Sequence, residues 1–151
     1  MLSITRILVP TDFTETSDRA LVYAIALAEK LGAKVTLMHS YEIPIVGFPD
    51  GALVATADVA SRIANVSQEA LDAVVARRAA AGGVKLEAIL RDGVAYEEIG
   101  KVADEIGADL IVIGTHGRRG IARALLGSVA ENVIRTSTRP VLTIHGPRAS
   151  T

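Results

Sequence analysis

Short apolar runs alternate along the chain with longer segments whose apolar residues recur at helical spacing, and this alternation limits the possible fold more than any other feature. Five apolar runs predict strands: Ile4–Pro10, Lys34–Tyr41, Val84–Arg91, Asp109–Gly114 and Pro140–His145. Four segments predict helices: Asp18–Leu31, Val54–Ala81, Tyr96–Ile106 and Ser128–Thr138. The segment Glu42–Leu53 contains two prolines and two glycines, which predicts a loop.

Strands that alternate with helices form a parallel sheet that helices cover on both faces. Because the crossover connections are almost always right-handed, the sequence predicts an α/β fold with an open, doubly wound five-stranded parallel sheet. Asp109–Gly114 shows no polar alternation, so it is predicted to be buried on both faces. We find no linker and no repeat. Residues 1–146 are therefore predicted to form a single domain, and residues 147–151 a frayed tail.

The composition excludes several classes of protein and site. The formal net charge is −1 and only 3% of residues are aromatic, which argues against a nucleic-acid binder with a basic face and stacking rings. The chain contains no cysteine, so disulfides and thiolate chemistry are ruled out. Half of the residues are hydrophobic, which is sufficient for an aliphatic core.

The apolar runs are too short for a membrane protein. The longest, Ala20–Ala28, is about half of the roughly 20 residues that a membrane-spanning helix needs. The first apolar run ends at Pro10 and lacks the pattern of a secretory signal. We therefore expect a soluble, cytoplasmic protein.

Polar residues follow two of the predicted strands at the edge where such sheets bind ligands, beyond the carboxyl ends of the strands. The first strand ends in Val9-Pro10-Thr11-Asp12, and the fourth in Gly114-Thr115-His116-Gly117. Asp12 is predicted either to contact a ligand or to cap the first helix.

The segment IGTHGRRGIARALLGSVAE carries the most specific motif, G-x2-G-x9-G-[ST], formed by Gly114, Gly117, Gly127 and Ser128. Glycines allow positive backbone torsions and let a ligand approach the main chain. Gly127 and Ser128 stand directly before a predicted helix, whose free N–H groups favour phosphate. The alternative is that the glycines only form turns and that Ser128 only caps the helix.

The charges and the motifs of the segment agree with a phosphate site. Between Leu110 and Ala130 the charged residues are all arginines, at 118, 119 and 123. Neither G-x-x-x-x-G-K-[ST] nor G-x-G-x-x-G is present, so a P-loop enzyme and a standard dinucleotide binder are not predicted.

The sequence resembles the universal stress protein family, in particular its ATP-binding branch. The resemblance rests on ILVPTDFTETSDRAL, VTLMHSYE and ADLIVIGTHGRRGIARALLGSVAENVIRTSTRPVLTI, and the glycine motif is complete. It implies a flavodoxin-like sheet of strand order 3-2-1-4-5, ATP as ligand together with Mg²⁺ or Mn²⁺, and a homodimer formed through Pro140–His145.

The resemblance also implies contact residues. Those for adenine and ribose are Pro10, Thr11, Asp12 and Ser40, with Asp12 on the ribose hydroxyls or beside a nucleotide-bound magnesium ion and Ser40 acting through its backbone. Those for phosphate are Gly114, His116, Gly117, Gly127, Ser128, Val129 and Ala130. The family often has a hydroxyl residue at position 130, and alanine removes that side-chain contact.

The predicted function is a nucleotide-dependent regulator of a stress response that hydrolyses ATP slowly or not at all and whose state is read by an unidentified protein partner. No catalytic residue is predicted, because neither a general base nor a P-loop lysine accompanies the glycine motif and His116 resembles a loop residue. His39 and His145 are predicted to be structural. The alternatives are an ATP-hydrolysing or adenylyl-transferring enzyme, a nucleotide-free interaction module, and a flavin electron carrier.

Overall fold

The computed structural model of the chain describes residues 1–47, 49–50, 53–54, 57–116 and 126–147. Within these residues the strands are β1 (Arg6–Pro10), β2 (Lys34–Tyr41), β3 (Val46–Gly47), β4 (Leu53–Val54), β5 (Leu86–Asp92), β6 (Leu110–Gly114) and β7 (Val141–Ile144). The helices are α1 (Glu15–Leu31), α2 (Ala57–Ala81), α3 (Ala95–Ile106) and α4 (Ser128–Thr136). Residues 148–151 of the predicted tail lie outside the described residues.

The central sheet has five parallel strands in the order β5-β2-β1-β6-β7. Numbered along the chain within this sheet, the order is 3-2-1-4-5, so the predicted fold and topology are confirmed. Because all five strands run in the same direction, their carboxyl ends share one edge. The winding direction reverses between β1 and β6, and ligands of such sheets bind at that point.

Two core clusters cover the two faces of the sheet. Ile7 and Val9 of β1 point to the cluster that packs under α1 and α2, whereas Leu8 points to the cluster under α3 and α4. All three side chains are fully buried, as the two-residue period of a strand between two helical layers requires. β6 is likewise buried on both faces, which agrees with its lack of polar alternation.

Asp109 joins the amino-terminal ends of the two central strands. Its Oδ2 accepts hydrogen bonds from the backbone N–H of Thr5 at 2.8 Å, the Thr5 hydroxyl at 2.9 Å and the backbone N–H of Arg6 at 3.0 Å. These bonds, first of all the one from the Thr5 backbone, hold the pKa of Asp109 below its usual range. Asp109 thus connects β1 and β6 at the edge opposite to the two polar loops.

The region between β2 and α2 differs from the prediction. Val46–Gly47 and Leu53–Val54 pair as a two-residue antiparallel ladder inside the predicted loop, with a turn at residues 49–50 between them. The prolines and glycines favour turns, but they do not prevent two residues on either side of a turn from pairing. Because Val54 belongs to β4, α2 begins at Ala57, three residues later than predicted.

The first helix begins three residues earlier than predicted. Thr14 is its N-cap, with an extended backbone and a hydroxyl that accepts from the backbone N–H of Ser17 at 3.4 Å. The helix is closed by its C-cap Gly32, whose φ of +67° is the left-handed conformation that glycine adopts easily. None of the helices in the described part of the chain has both the length and the apolar character that crossing a membrane requires.

Candidate functional site

A cavity of about 680 Å³ opens at the carboxyl edge of the sheet, where β1 and β6 diverge. This volume lies within the range of about 300–1,000 Å³ that is typical of small-molecule sites. The predicted contact residues that the structure describes all line it: Pro10, Thr11, Asp12, Ser40, Gly114, His116, Gly127, Ser128, Val129 and Ala130. Gly117, Arg118, Arg119 and Arg123 lie outside the described residues.

The loop after β1 orients Asp12 through its neighbour Thr14. Oδ1 of Asp12 accepts from the backbone N–H of Thr14 at 3.1 Å and also from the Thr14 hydroxyl. This is an Asx turn, a local structure that competes with helix formation. The helix cap is Thr14. The interpretation of Asp12 as the cap of the first helix is therefore wrong.

The same loop is anchored on β2. The backbone N–H of Thr11 donates to the Met38 carbonyl at 2.8 Å, and Nδ1 of His39 lies 2.7 Å from the Thr11 carbonyl. Because a carbonyl oxygen only accepts, Nδ1 of His39 carries the proton. Phe13, whose φ is +65°, packs its ring 4.4 Å from that of His39. Such a backbone angle is uncommon outside glycine, and these contacts hold it in place.

Gly114 is required by packing between α1 and the end of β6. A Cβ at this position would lie 2.9 Å from Thr16 Cγ2 and 3.2 Å from the Thr16 carbonyl carbon and oxygen. Gly146 approaches the same residue, since its Cβ would lie 2.8 Å from Thr16 Oγ1. The glycine at 114 is predicted to let a ligand approach, and the structure shows in addition that it admits the first turn of α1.

The first turn of α4 faces the cavity, and its N-cap residue supplies no side-chain hydrogen bond. Gly127 is the N-cap residue, and its N–H donates to the Thr115 carbonyl. Ser128 is the first helical residue and makes no capping bond, so the interpretation of Ser128 as the cap is wrong. The N–H groups of Ser128, Val129 and Ala130 have no carbonyl partner within the helix, and the helix dipole places partial positive charge there.

The φ of Gly127 is −71°, an ordinary value for any residue. The positive torsions predicted for the motif glycines are therefore not used at this position. Absence of a side chain leaves the N-cap position without an oxygen that could occupy the first N–H groups of the helix. The first turn of α4 consequently presents backbone donors to the cavity.

Several lining residues were not among the predicted contacts: Ser17, Met38, His39, Glu42, Ala95, Ile99, Ile113, Thr115 and Leu126. A signal for Ala95 and Ile99 was available, because a helix that follows a parallel strand starts at the carboxyl edge of the sheet. Glu42, two residues beyond Ser40, follows the end of β2 in the same way. Ser17 was missed because the first helix was predicted to begin after it.

The charges of the cavity wall are unevenly distributed. Asp12 and Glu42 follow the ends of β1 and β2, whereas the first turn of α4 supplies N–H groups. Nδ1 of His116 lies 2.9 Å from the hydroxyl of Thr115, which is fully buried. Among the described residues no three His, Cys, Asp or Glu side chains are grouped closely enough to hold a metal ion.

Known proteins resemble the chain over almost its whole length. A profile of the Universal stress protein family matches residues 3–145. The chain belongs to this family. The universal stress protein MJ0531 of Methanocaldococcus jannaschii is 37% identical over 145 residues, a match that covers 95% of this chain and 83% of that protein.

Solved universal stress protein structures share the fold. The structure of MJ0577, from the same archaeon, superposes with a TM-score of 0.79 at 30% identity and covers 97% of this chain and 99% of that one. A universal stress protein crystallised in complex with cAMP has a TM-score of 0.64 at 32% identity, with 95% and 98% of the two chains covered.

Proposed function

We propose that this universal stress protein binds ATP in the cavity between β1 and β6 and acts in the cytoplasm as a nucleotide-dependent regulator of a stress response. The observation that carries the proposal is the pairing, within one cavity, of a helix start whose N-cap residue is a glycine with a carboxylate-bearing loop. Backbone donors suit phosphate, and a carboxylate accepts hydrogen bonds from sugar hydroxyls.

The arrangement supports one orientation of the nucleotide. The triphosphate lies at the first turn of α4, with N–H groups from Ser128 to Ala130 as donors. The ribose lies beside Asp12. The base extends toward Ser40 at the end of β2, between the apolar side chains of Met38 and Ile99. The relative in complex with cAMP supports an adenine nucleotide as ligand.

The proposal includes slow hydrolysis or none. Three of the described side chains in the cavity wall that could act as a base are engaged with neighbouring groups: Asp12 with Thr14, His39 with the Thr11 carbonyl and His116 with Thr115. A magnesium or manganese ion would enter with the triphosphate, and Asp12, in the loop after β1, is the carboxylate that would hold it. The proposed effect of the nucleotide is therefore occupancy that a protein partner reads.

The test is a thermal melt of the protein with saturating ATP and Mg²⁺. A ligand at a hundred times its Kd stabilises the native state by about 2.7 kcal/mol, which for a chain of this size raises Tm by roughly 5–10 °C. Adenosine and inorganic triphosphate, tested separately, report on the two halves of the cavity and should each give a smaller shift. Unchanged melting with ATP at millimolar concentration would refute the proposal.

We further propose a homodimer formed through residues 140–145. β7 is an edge strand of the central sheet. The carbonyls of Pro140 and Ile144 accept from the N–H groups of Ile111 in β6 and of Thr115 directly after it. Because alternate residues of a parallel strand face the same neighbour, Val141 and Thr143 direct their N–H and C=O groups to the open side. Such an edge favours pairing with a second copy about a two-fold axis.

Paired proline substitutions test this edge. Val141→Pro removes an N–H group that points away from β6, so the fold should survive while the dimer dissociates to monomer. Leu142→Pro is the matched control, because it removes an N–H that faces β6 and should lower Tm strongly. Light scattering at tens of micromolar protein distinguishes the two states. A parent chain that is monomeric with and without ATP would exclude the dimer.

A further inference from the structure

A chain of hydroxyl groups lies behind the Asp12 loop. The Thr14 hydroxyl donates to Oδ1 of Asp12, and the Ser17 hydroxyl donates to the Thr14 carbonyl at 2.9 Å. Since the Ser17 proton is used there, the Thr11 hydroxyl donates to Ser17 Oγ across 3.1 Å. Thr11 Oγ1 in turn accepts from the Phe13 N–H at 3.0 Å. The hydroxyl protons of Thr11, Thr14 and Ser17 therefore each have an acceptor.

Thr14 acts on Asp12 from outside the large cavity. It lines a separate cavity of about 170 Å³ between α1 and α2, and it is not among the described residues that line the 680 Å³ cavity. Thr14 therefore reaches the proposed nucleotide site through Asp12 rather than by contact with a ligand.

We propose that Thr14 is a positioning residue that holds the Asp12 carboxylate in the orientation needed to bind sugar hydroxyls, and that it thereby sets the preference for ribonucleotides over deoxyribonucleotides. The inference rests on the proposed nucleotide site. The torsion that turns an aspartate carboxylate is broad, and without the Thr14 hydroxyl only the Thr14 backbone N–H would hold Oδ1, so the carboxylate would sample more orientations. Hydrogen bonds weaken steeply with misalignment, and loss of the Thr14 hydroxyl should weaken the sugar contact specifically.

The experiment compares Kd values for ATP, 2′-deoxy-ATP and 3′-deoxy-ATP. The parent chain should prefer ATP over the weaker-binding deoxy analogue by about tenfold, the equivalent of one hydrogen bond to a charged group. Thr14→Val has nearly the same shape without the hydroxyl and should reduce this ratio to about twofold, close to the ratio for Asp12→Ala. Thr14→Ser keeps the hydroxyl and the helix cap and should restore the ratio of the parent chain.

Gly32→Ala controls for stability. It strains the opposite end of α1, where φ is +67° and nothing lies within 4 Å of the added Cβ, so it should lower Tm without changing the ribose preference. The positioning role is overturned if Thr14→Val keeps the preference of the parent chain, or if Thr14→Ser loses it. If the parent chain binds ATP and both deoxy analogues equally, this inference is refuted but the proposed function is not. A parent chain that binds no nucleotide removes the proposed function as well.

Discussion

Gly127→Asp is expected to weaken ATP binding by about 100-fold or more, since at least two charge-assisted hydrogen bonds would be lost. The backbone at Gly127, with φ −71° and ψ 159°, accommodates an aspartate without strain. Aspartate is a favourable N-cap, so its carboxylate would accept the N–H groups of the first turn that we assign to phosphate. It would also place a negative charge beside the triphosphate.

The same substitution, Gly127→Asp, should stabilise the fold while it weakens ATP binding. A capped helix with a negative charge at its amino end is expected to raise the free energy of unfolding by about 0.5 kcal/mol. Isothermal titration with ATP and a thermal melt without ligand measure the two effects on the same sample. Gly127→Asn is the matched control: it caps the helix without the charge, and it should reduce affinity by about tenfold. ATP binding by the aspartate variant at the affinity of the parent chain would show that phosphate does not bind at the start of α4.

Gly114→Ala is expected to reduce the free energy of unfolding by about 1–3 kcal/mol, the usual cost of overpacking. The added methyl group would meet both the side chain and the backbone of Thr16, and a backbone contact at 3.2 Å is relieved only if α1 moves. The displacement would carry the loop that contains Asp12 away from β6, and ATP affinity should fall with stability. Chemical denaturation followed by circular dichroism gives the free energy of unfolding.

Two variants separate this packing effect from a general effect of removing a glycine. Gly100→Ala lies within α3, where nothing is within 4 Å of the new Cβ, and it should raise stability by about 0.5–1 kcal/mol. Thr16→Ser, combined with Gly114→Ala, removes the Cγ2 contact at 2.9 Å. The double variant should recover part of the free energy of unfolding that Gly114→Ala loses. If Gly114→Ala were as stable as the parent chain, the close contact between Thr16 of α1 and the end of β6 would be contradicted.

Local patterns were sufficient to predict the architecture. Short apolar runs such as Lys34–Tyr41 and Leu110–Gly114 are visible as strands because parallel strands are buried on both faces. Glycines at 32 and 107 mark helix ends because both helices close in the left-handed conformation, which glycine adopts without a side-chain penalty. Because the strands are parallel, all their carboxyl ends lie at one edge of the sheet. The sequence alone therefore predicted that the polar loops gather at that edge.

Boundaries and roles of single residues were less accessible to prediction. The pairing of Val46–Gly47 with Leu53–Val54 depends on two segments meeting across a turn, and composition alone favoured a loop. Thr14 and Asp12 are both good helix caps, and only the geometry of the turn shows that Thr14 caps the helix while Asp12 accepts its hydroxyl proton.

The sequence by itself determined the doubly wound sheet and the edge at which its polar loops gather, because burial periodicity and strand direction are properties of short segments. The glycine motif likewise indicated where backbone donors would be presented. Only the tertiary structure decided that Gly114 admits Thr16 of α1 and that Thr14 holds Asp12 from behind the cavity wall. These contacts depend on distances of about 3 Å between atoms of different elements, and no local pattern in a sequence specifies such distances.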